Sequence, residues 1–375
     1  DGQTFLPKAD TAYRLFMEVP ATPATGCSAN LPMPTVTPAA ADTFVAAYAD
    51  SAKDHGINVL RALAFGNWAY SRDEYNEPRT CQTEDWKSQR FVNSREQDCL
   101  PDLSLYFSDS PNGSSTNLFD GGPEHAQIQP APYPTGYYPN LSSFQRTDRK
   151  LKLLLNQYPS MYIQVLLVTE PINNCRDTRW GGINGALRTQ LWQNMIARWA
   201  AFPNVFWSVS NDLGDTLTPD PWHGNNVYPN NVALANEIGC YWMGGSGCTP
   251  QTGNDPWRTS RPMSMGHLRF LVDSSIDKPW HTYITSYTNA DISAQEMDGT
   301  MYLPLAWNRS YAVTPKPVYN TEDMYEAEDA GTGQTNHKVV KYANYFFRKL
   351  FWSYLLSGGG ATYGSDTTWS MEHEY

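Results

Sequence analysis

Hydrophobic and polar positions along this chain fall into two alternating kinds of block. Short, β-branched, almost unbroken apolar runs predict strands buried on both faces, whereas apolar residues spaced three and four apart predict helices. "INVLRALAF" (57–65), "MYIQVLLVT" (161–169) and "NVFWSVS" (204–210) are the clearest strands, and "TAYRLF" (11–16) is expected to be the first. "RPMSMGH" (261–267), "HTYITSY" (281–287), "KPVYNTE" (316–322) and "GATYGSD" (360–366) supply four more, with weaker patterns. Helices are predicted over 39–56, 141–159, 185–203, 231–243 and 337–360; Gly56 suits a C-cap, and three glycines stop the last helix.

Repeated strand–helix alternation implies a parallel sheet, and eight candidate strands favour a closed (β/α)8 TIM barrel over an open doubly wound sheet. No dinucleotide fingerprint or phosphate-cradling glycine loop follows the early strands. The pattern has no internal repeat and no linker that would split it, so residues 1–375 read as one barrel domain. Its βα loops are long, and the Gly-, Pro- and Asn-rich stretch at 66–140 exceeds an ordinary connection and reads as a functional insertion.

In such barrels, catalytic groups stand at the C-terminal ends of strands. The run 204–210 stops at Asn211-Asp212, and the run 316–322 ends on Glu322. Closing the barrel brings these two distant carboxylates to one rim. Glycosidic bonds are cleaved by such a pair, one carboxyl protonated and the other ionised. Neighbouring like charge separates their pKa values and so supplies both states. A turn residue or a cap would account for either acid alone.

An Asn-acid pair after strand four with Glu at strand seven resembles the clan-A retaining glycoside hydrolases. More closely, the chain resembles the apiosidase-like family (domain of unknown function 4038, glycoside hydrolase family 140). The similar segments are "DGQTFLPKADTAYRLF", "GINVLRALAFG", "MIARWAAFPNVFWSVSNDLGD", "KPVYNTEDMYE" and "FRKLFWSYLLSGGGATYGSDTTWSM", in the family's order. The resemblance implies that Asp212 is the acid/base and Glu322 the nucleophile. Asn211 would hold a sugar hydroxyl, and Arg61, a charge inside "VLRALAF", would orient Glu322. Most clan-A enzymes have Glu where this chain has Asp212. The family's opening "GDTAW" is "ADTAY" here, so Tyr13 replaces an aromatic near the subsite. The implied substrates are cell-wall glycans, including ones with furanose sugars such as apiose or arabinose.

Further substrate contacts are expected from strand tips and the loops beyond them. His267 and Tyr287 end strands five and six; Trp68 and Trp369 are candidate sugar platforms after strands two and eight. Asp10 and Asp366 are carboxylates expected on the same rim, either binding hydroxyls or replacing one of the catalytic pair. Ordinary packing is the alternative for each Trp, and a structural contact for His267 and Tyr287.

The remaining composition narrows the partners. A net charge of −11 repels phosphate backbones, which argues against nucleic acid, and no run is long and apolar enough for a membrane span. The 13 Trp and 23 Tyr suit sugar rings as well as cores. Six cysteines without a CxxC pair suggest three disulfides: Cys240–Cys248 and Cys81–Cys99 by proximity, leaving Cys27–Cys175. With sequons at Asn112, Asn140 and Asn308, this suggests a secreted glycoprotein, expected to be monomeric. No metal site and no cofactor is expected: there is no strand-end His cluster, and Lys278 and Lys316 precede their strands, unlike a Schiff-base lysine at a tip. The expected partner is an oligo- or polysaccharide. The alternatives are an endo-glycanase on hexopyranose polymers and a non-catalytic carbohydrate-binding barrel.

Overall fold

A computed structural model gives the fold. It describes residues 5–12, 15–16, 38–64, 107–108, 138–139, 141–168, 185–210, 231–244, 248, 261–265, 277–287, 316–322, 343–356 and 358–364. The described elements run β1 (Lys8–Thr11), α1 (Pro38–Asp54), β2 (Val59–Leu63), β3 (Phe107–Ser108), β4 (Tyr138–Pro139), α2 (Leu141–Gln157) and β5 (Tyr162–Val168). They continue as α3 (Gly185–Trp199), β6 (Val205–Ser210), α4 (Asn231–Met243), β7 (Met263–Ser264), β8 (Ile284–Tyr287), β9 (Val318–Glu322), α5 (Ala343–Leu356) and β10 (Ala361–Tyr363).

Eight of these strands close a parallel barrel. Six pair in the order β10-β1-β2-β5-β6-β7, and β8 pairs with β9. Two seams join the pieces. Thr282 N–H donates to Met263 O (2.9 Å) between β7 and β8. Asn320 N–H donates to Gly360 O (2.9 Å), and Gly360 N–H to Val318 O (3.1 Å), between β9 and β10. The TIM-barrel expectation is met. Among the described residues, β3 and β4 stand outside the barrel as a short antiparallel ladder in the long insertion, unforeseen because two-residue strands carry no periodicity.

Alternation along each strand separates two cores. Outward residues such as Leu60, Ala62, Ile163, Val165, Val205 and Trp207 pack against the helix layer. Inward residues Ala9, Val59, Phe206, Tyr283 and Tyr319 fill the lower lumen. Trp192, Trp199, Trp207, Trp242 and Trp280 are all fully buried, so much of the tryptophan surplus is packing, as in the edge-on Trp207–Trp242 pair (centroids 4.6 Å apart) between β6 and α4.

The first strand differs from expectation. It occupies Lys8–Thr11, and Leu15 and Phe16 form a turn whose Leu15 N–H donates to Ala12 O (3.0 Å). Both apolar side chains are buried in the core beneath the helix layer. Pairing selects the smaller segment, since Ala9 fits the lumen in register with Val59 and Thr362. Tertiary packing thus overrides local strand propensity. Gly56 does cap α1: at φ 75° it donates to Lys53 O while Ile57 donates to Ala52 O, a Schellman closure. Cys240 and Cys248 form the expected disulfide at the end of α4. The Cys27–Cys175 and Cys81–Cys99 pairs and the three sequons lie outside the described residues. No helix among the described residues is long and apolar enough to cross a membrane.

Candidate active site

Above the apolar lower lumen, the barrel changes character. On its lumen side each of the eight strands contributes a buried polar residue: Thr11, Arg61, Gln164, Ser208, Ser264, Thr285, Thr321 and Thr362. Such burial is costly unless the groups are hydrogen-bonded, and several bonds are evident. Gln164 Nε2 donates to Tyr283 OH (2.8 Å), which donates to Trp207 O (2.7 Å). Ser264 and Ser208 hydroxyls lie 3.3 Å apart. Thr362 Oγ1 donates to Asn320 O (2.6 Å) and lies 3.2 Å from Tyr319 OH. These contacts tie the strands together below the C-terminal rim.

Arg61 is fully buried within this ring. Burial lifts the Tyr283 and Tyr319 phenols well above the usual tyrosine range, although Arg61 draws both back somewhat. Both therefore stay neutral beside the guanidinium, which keeps its positive charge.

Glu322 is the last residue of β9, at the C-terminal end of a barrel strand. Its register is irregular: Ser286 pairs with Asn320, but Tyr287 pairs with Glu322, so β9 carries one extra residue, Thr321. A bulge of this kind re-aims the strand that follows it. Here it sets the Glu322 backbone level with Tyr287, at the tips of two adjacent strands. β6 ends at Ser210, and Asn211 and Asp212 follow it directly, outside the described residues.

The structure thus brings Arg61 and the tips bearing Tyr287 and Glu322 to one barrel end. Asp10 is placed elsewhere. It lies on the outer side of β1, opposite to the lumen-facing Ala9, and its Oδ2 accepts a 2.6 Å hydrogen bond from Tyr48 OH on α1. The expectation of a rim position for Asp10 is corrected by this: period-two alternation turns it toward the helix layer. His267, Trp68, Trp369 and Asp366 lie outside the described residues. The polar ring was missed in the sequence, although Gln164 within "YIQVLLV" carries the same signal as Arg61, a polar group interrupting an apolar run. Among the described residues, no three His, Cys, Asp or Glu side chains gather as a metal site.

Comparison with known proteins agrees with this geometry. The chain matches the apiosidase-like catalytic-domain family over residues 1–375. It is similar in fold to a family 5 glycoside hydrolase from Bacteroides vulgatus, with 13% identity and a TM-score of 0.50 over 98% of this chain and 59% of that one. An endo-1,4-β-D-mannanase from Thermotoga petrophila is similar at 12% identity and a TM-score of 0.51, over 96% of this chain and 88% of that one. A family 5 mannosidase from Rhizomucor miehei matches at 11% identity and a TM-score of 0.50, over 96% and 82%. At these identities the likeness establishes the fold. The chain spans 59% of the length of the first of these structures. Comparison with curated proteins returned no match.

Proposed function

The chain belongs to the apiosidase-like family, and on that premise we propose that it is a glycoside hydrolase of clan-A type acting on cell-wall polysaccharide by a retaining two-carboxylate mechanism. Glu322 attacks the anomeric carbon as Asp212 protonates the departing glycosidic oxygen. Asp212 then takes a proton from water, which attacks the glycosyl–Glu322 ester and releases the sugar with its anomeric configuration kept. Retention requires the two carboxyl groups about 5–5.5 Å apart. Arg61 is assigned to orienting Glu322 and favouring its ionised form. Asn211, Tyr287 and His267 are assigned to sugar hydroxyls, and Trp68 and Trp369 to sugar faces, with Asp366 a rim acid binding hydroxyls.

The observation that carries this reading is the β9 register, in which the extra residue Thr321 sets Glu322 beside the Tyr287 tip. A buried cation from β2 in the same lumen supports it. The furanose-bearing side chains that the family's name suggests are the favoured target, and mannan is the comparison polymer because one structural neighbour is a mannanase. The Cys240–Cys248 disulfide supports an extracellular site of action. The proposed enzyme works as a monomer.

The test is saccharide release from a panel of plant and bacterial cell-wall polysaccharides by wild type, Asp212→Asn and Glu322→Gln. Wild-type release, reduced at least ~10³-fold in both folded variants, is expected. Unchanged release in either variant removes that residue from the mechanism. Binding without release by wild type favours a non-catalytic barrel.

A further inference from the structure

A groove of about 630 Å³ lies outside the lumen, on the flank of the barrel between α1 and α5. Tyr48 and Ser51 of α1 and His55 of the turn after it form one wall; Arg348, Phe351 and Trp352 of α5 form the other. Lys8 and Asp10 of β1 and Tyr363 of β10 make the floor. The volume is in the range of small-ligand sites.

Two features define what fits. Trp352 is 57% exposed, whereas five other tryptophans are fully buried. A water-facing indole beside Phe351 presents flat apolar surface of the kind that the C–H face of a sugar ring covers. The charges are unevenly balanced: Lys8 and Arg348 bring two cations against the Asp10 carboxylate, whose Oδ2 is occupied by Tyr48 OH. This is a local cationic excess on a chain of net charge −11. Guanidinium and ammonium groups at a groove wall recognise carboxylates.

We propose that this groove is a second saccharide site, separate from the rim, which holds a uronate-bearing stretch of polymer with a sugar face on Trp352 and a carboxylate at Arg348 and Lys8. The proposal rests on the polysaccharide-hydrolase reading for the choice of a sugar ligand. It would keep the enzyme on an acidic polymer while the rim works on a neighbouring stretch.

The test uses the full chain in native gels containing polygalacturonate as probe, with Glu322→Gln as the parent to suppress turnover. The parent is expected to be retarded. Trp352→Ala should weaken binding at least about fivefold, as loss of an aromatic anchor does, and Arg348→Gln should weaken it and reduce its salt sensitivity. Both side chains are exposed, so unchanged urea midpoints are expected to accompany the loss. Retardation equal in parent and Trp352→Ala overturns the site, as does no retardation of the parent. Equal retardation by neutral mannan that ignores Arg348→Gln overturns the acidic ligand. Hydrolysis of the polysaccharide panel by wild type is scored separately. Hydrolysis without retardation sinks the groove and leaves the hydrolase. Trp352-dependent retardation without hydrolysis supports the groove and sinks the hydrolase.

Discussion

At the scale of single residues, the lumen is a place where burial decides protonation. Tyr283 and Tyr319 are both buried, and burial raises both phenols above the ordinary value of about 10. A raised folded pKa means that the unfolded chain loses these protons first as pH climbs. Their contribution to stability is therefore full below pH about 10 and declines as pH rises beyond it toward the folded values. Urea midpoints at pH 9 and pH 11 should show a drop that is smaller in Tyr283→Phe/Tyr319→Phe than in wild type; equal drops would contradict the assignment. The same residues show what was legible. Arg61 stood out because a charge breaks the run "VLRAL". Phe206, Tyr283 and Tyr319 could not be assigned to the lumen in advance, because both faces of these strands are apolar and only register tells inside from outside. Asp10 misled for a related reason, since one step along a strand reverses the face.

At the scale of elements, glycines mark where backbone comes close. A Cβ on Gly360 would lie 2.5 Å from Pro7 O and 2.7 Å from Pro7 Cδ, at the seam where β10 enters between β1 and β9. Gly358, by contrast, has φ +82° and nothing within 4 Å of where its Cβ would sit. Gly360→Ala should therefore cost about 1–3 kcal/mol through overpacking. Gly358→Ala should cost roughly 1 kcal/mol, through the left-handed backbone alone. Urea unfolding of the two variants checks the order, and Gly358→Ala as the worse would refute the packing argument. Helices were read well because their apolar spacing is dictated by one buried face; α4 matches its expected bounds at Asn231 and Met243. The first strand was displaced because "TAYRLF" has strand-like composition, yet the sheet selects "KADT", whose Ala9 fits the lumen. The bulge at Thr321 left no mark in composition, being a property of how two strands pair.

At the scale of the molecule, the barrel converts sequence distance into proximity. The tips of β6 and β9 are far apart in the chain, but both belong to the C-terminal end of one closed sheet. That much followed from strand counting, because catalytic groups of this fold stand at strand ends. The rim loops did not follow, since their sequences have no period to read. The Cys240–Cys248 link at the end of α4 should stabilise the whole chain: the double Ser variant is expected to lose about 2 kcal/mol by urea unfolding, and no loss would show the link to be dispensable. The central claim is that Glu322 carries the sugar. Asp212→Asn should be mixed with an aryl glycoside of the sugar released from the polysaccharide panel, quenched in acid, digested and analysed by mass spectrometry. An aryl leaving group needs little acid assistance, while water attack is slowed without its base, so the covalent intermediate accumulates. The account predicts one glycosyl adduct, on the peptide containing Glu322. An adduct on another carboxylate, or turnover without any adduct and with an inverted product anomer, would contradict it.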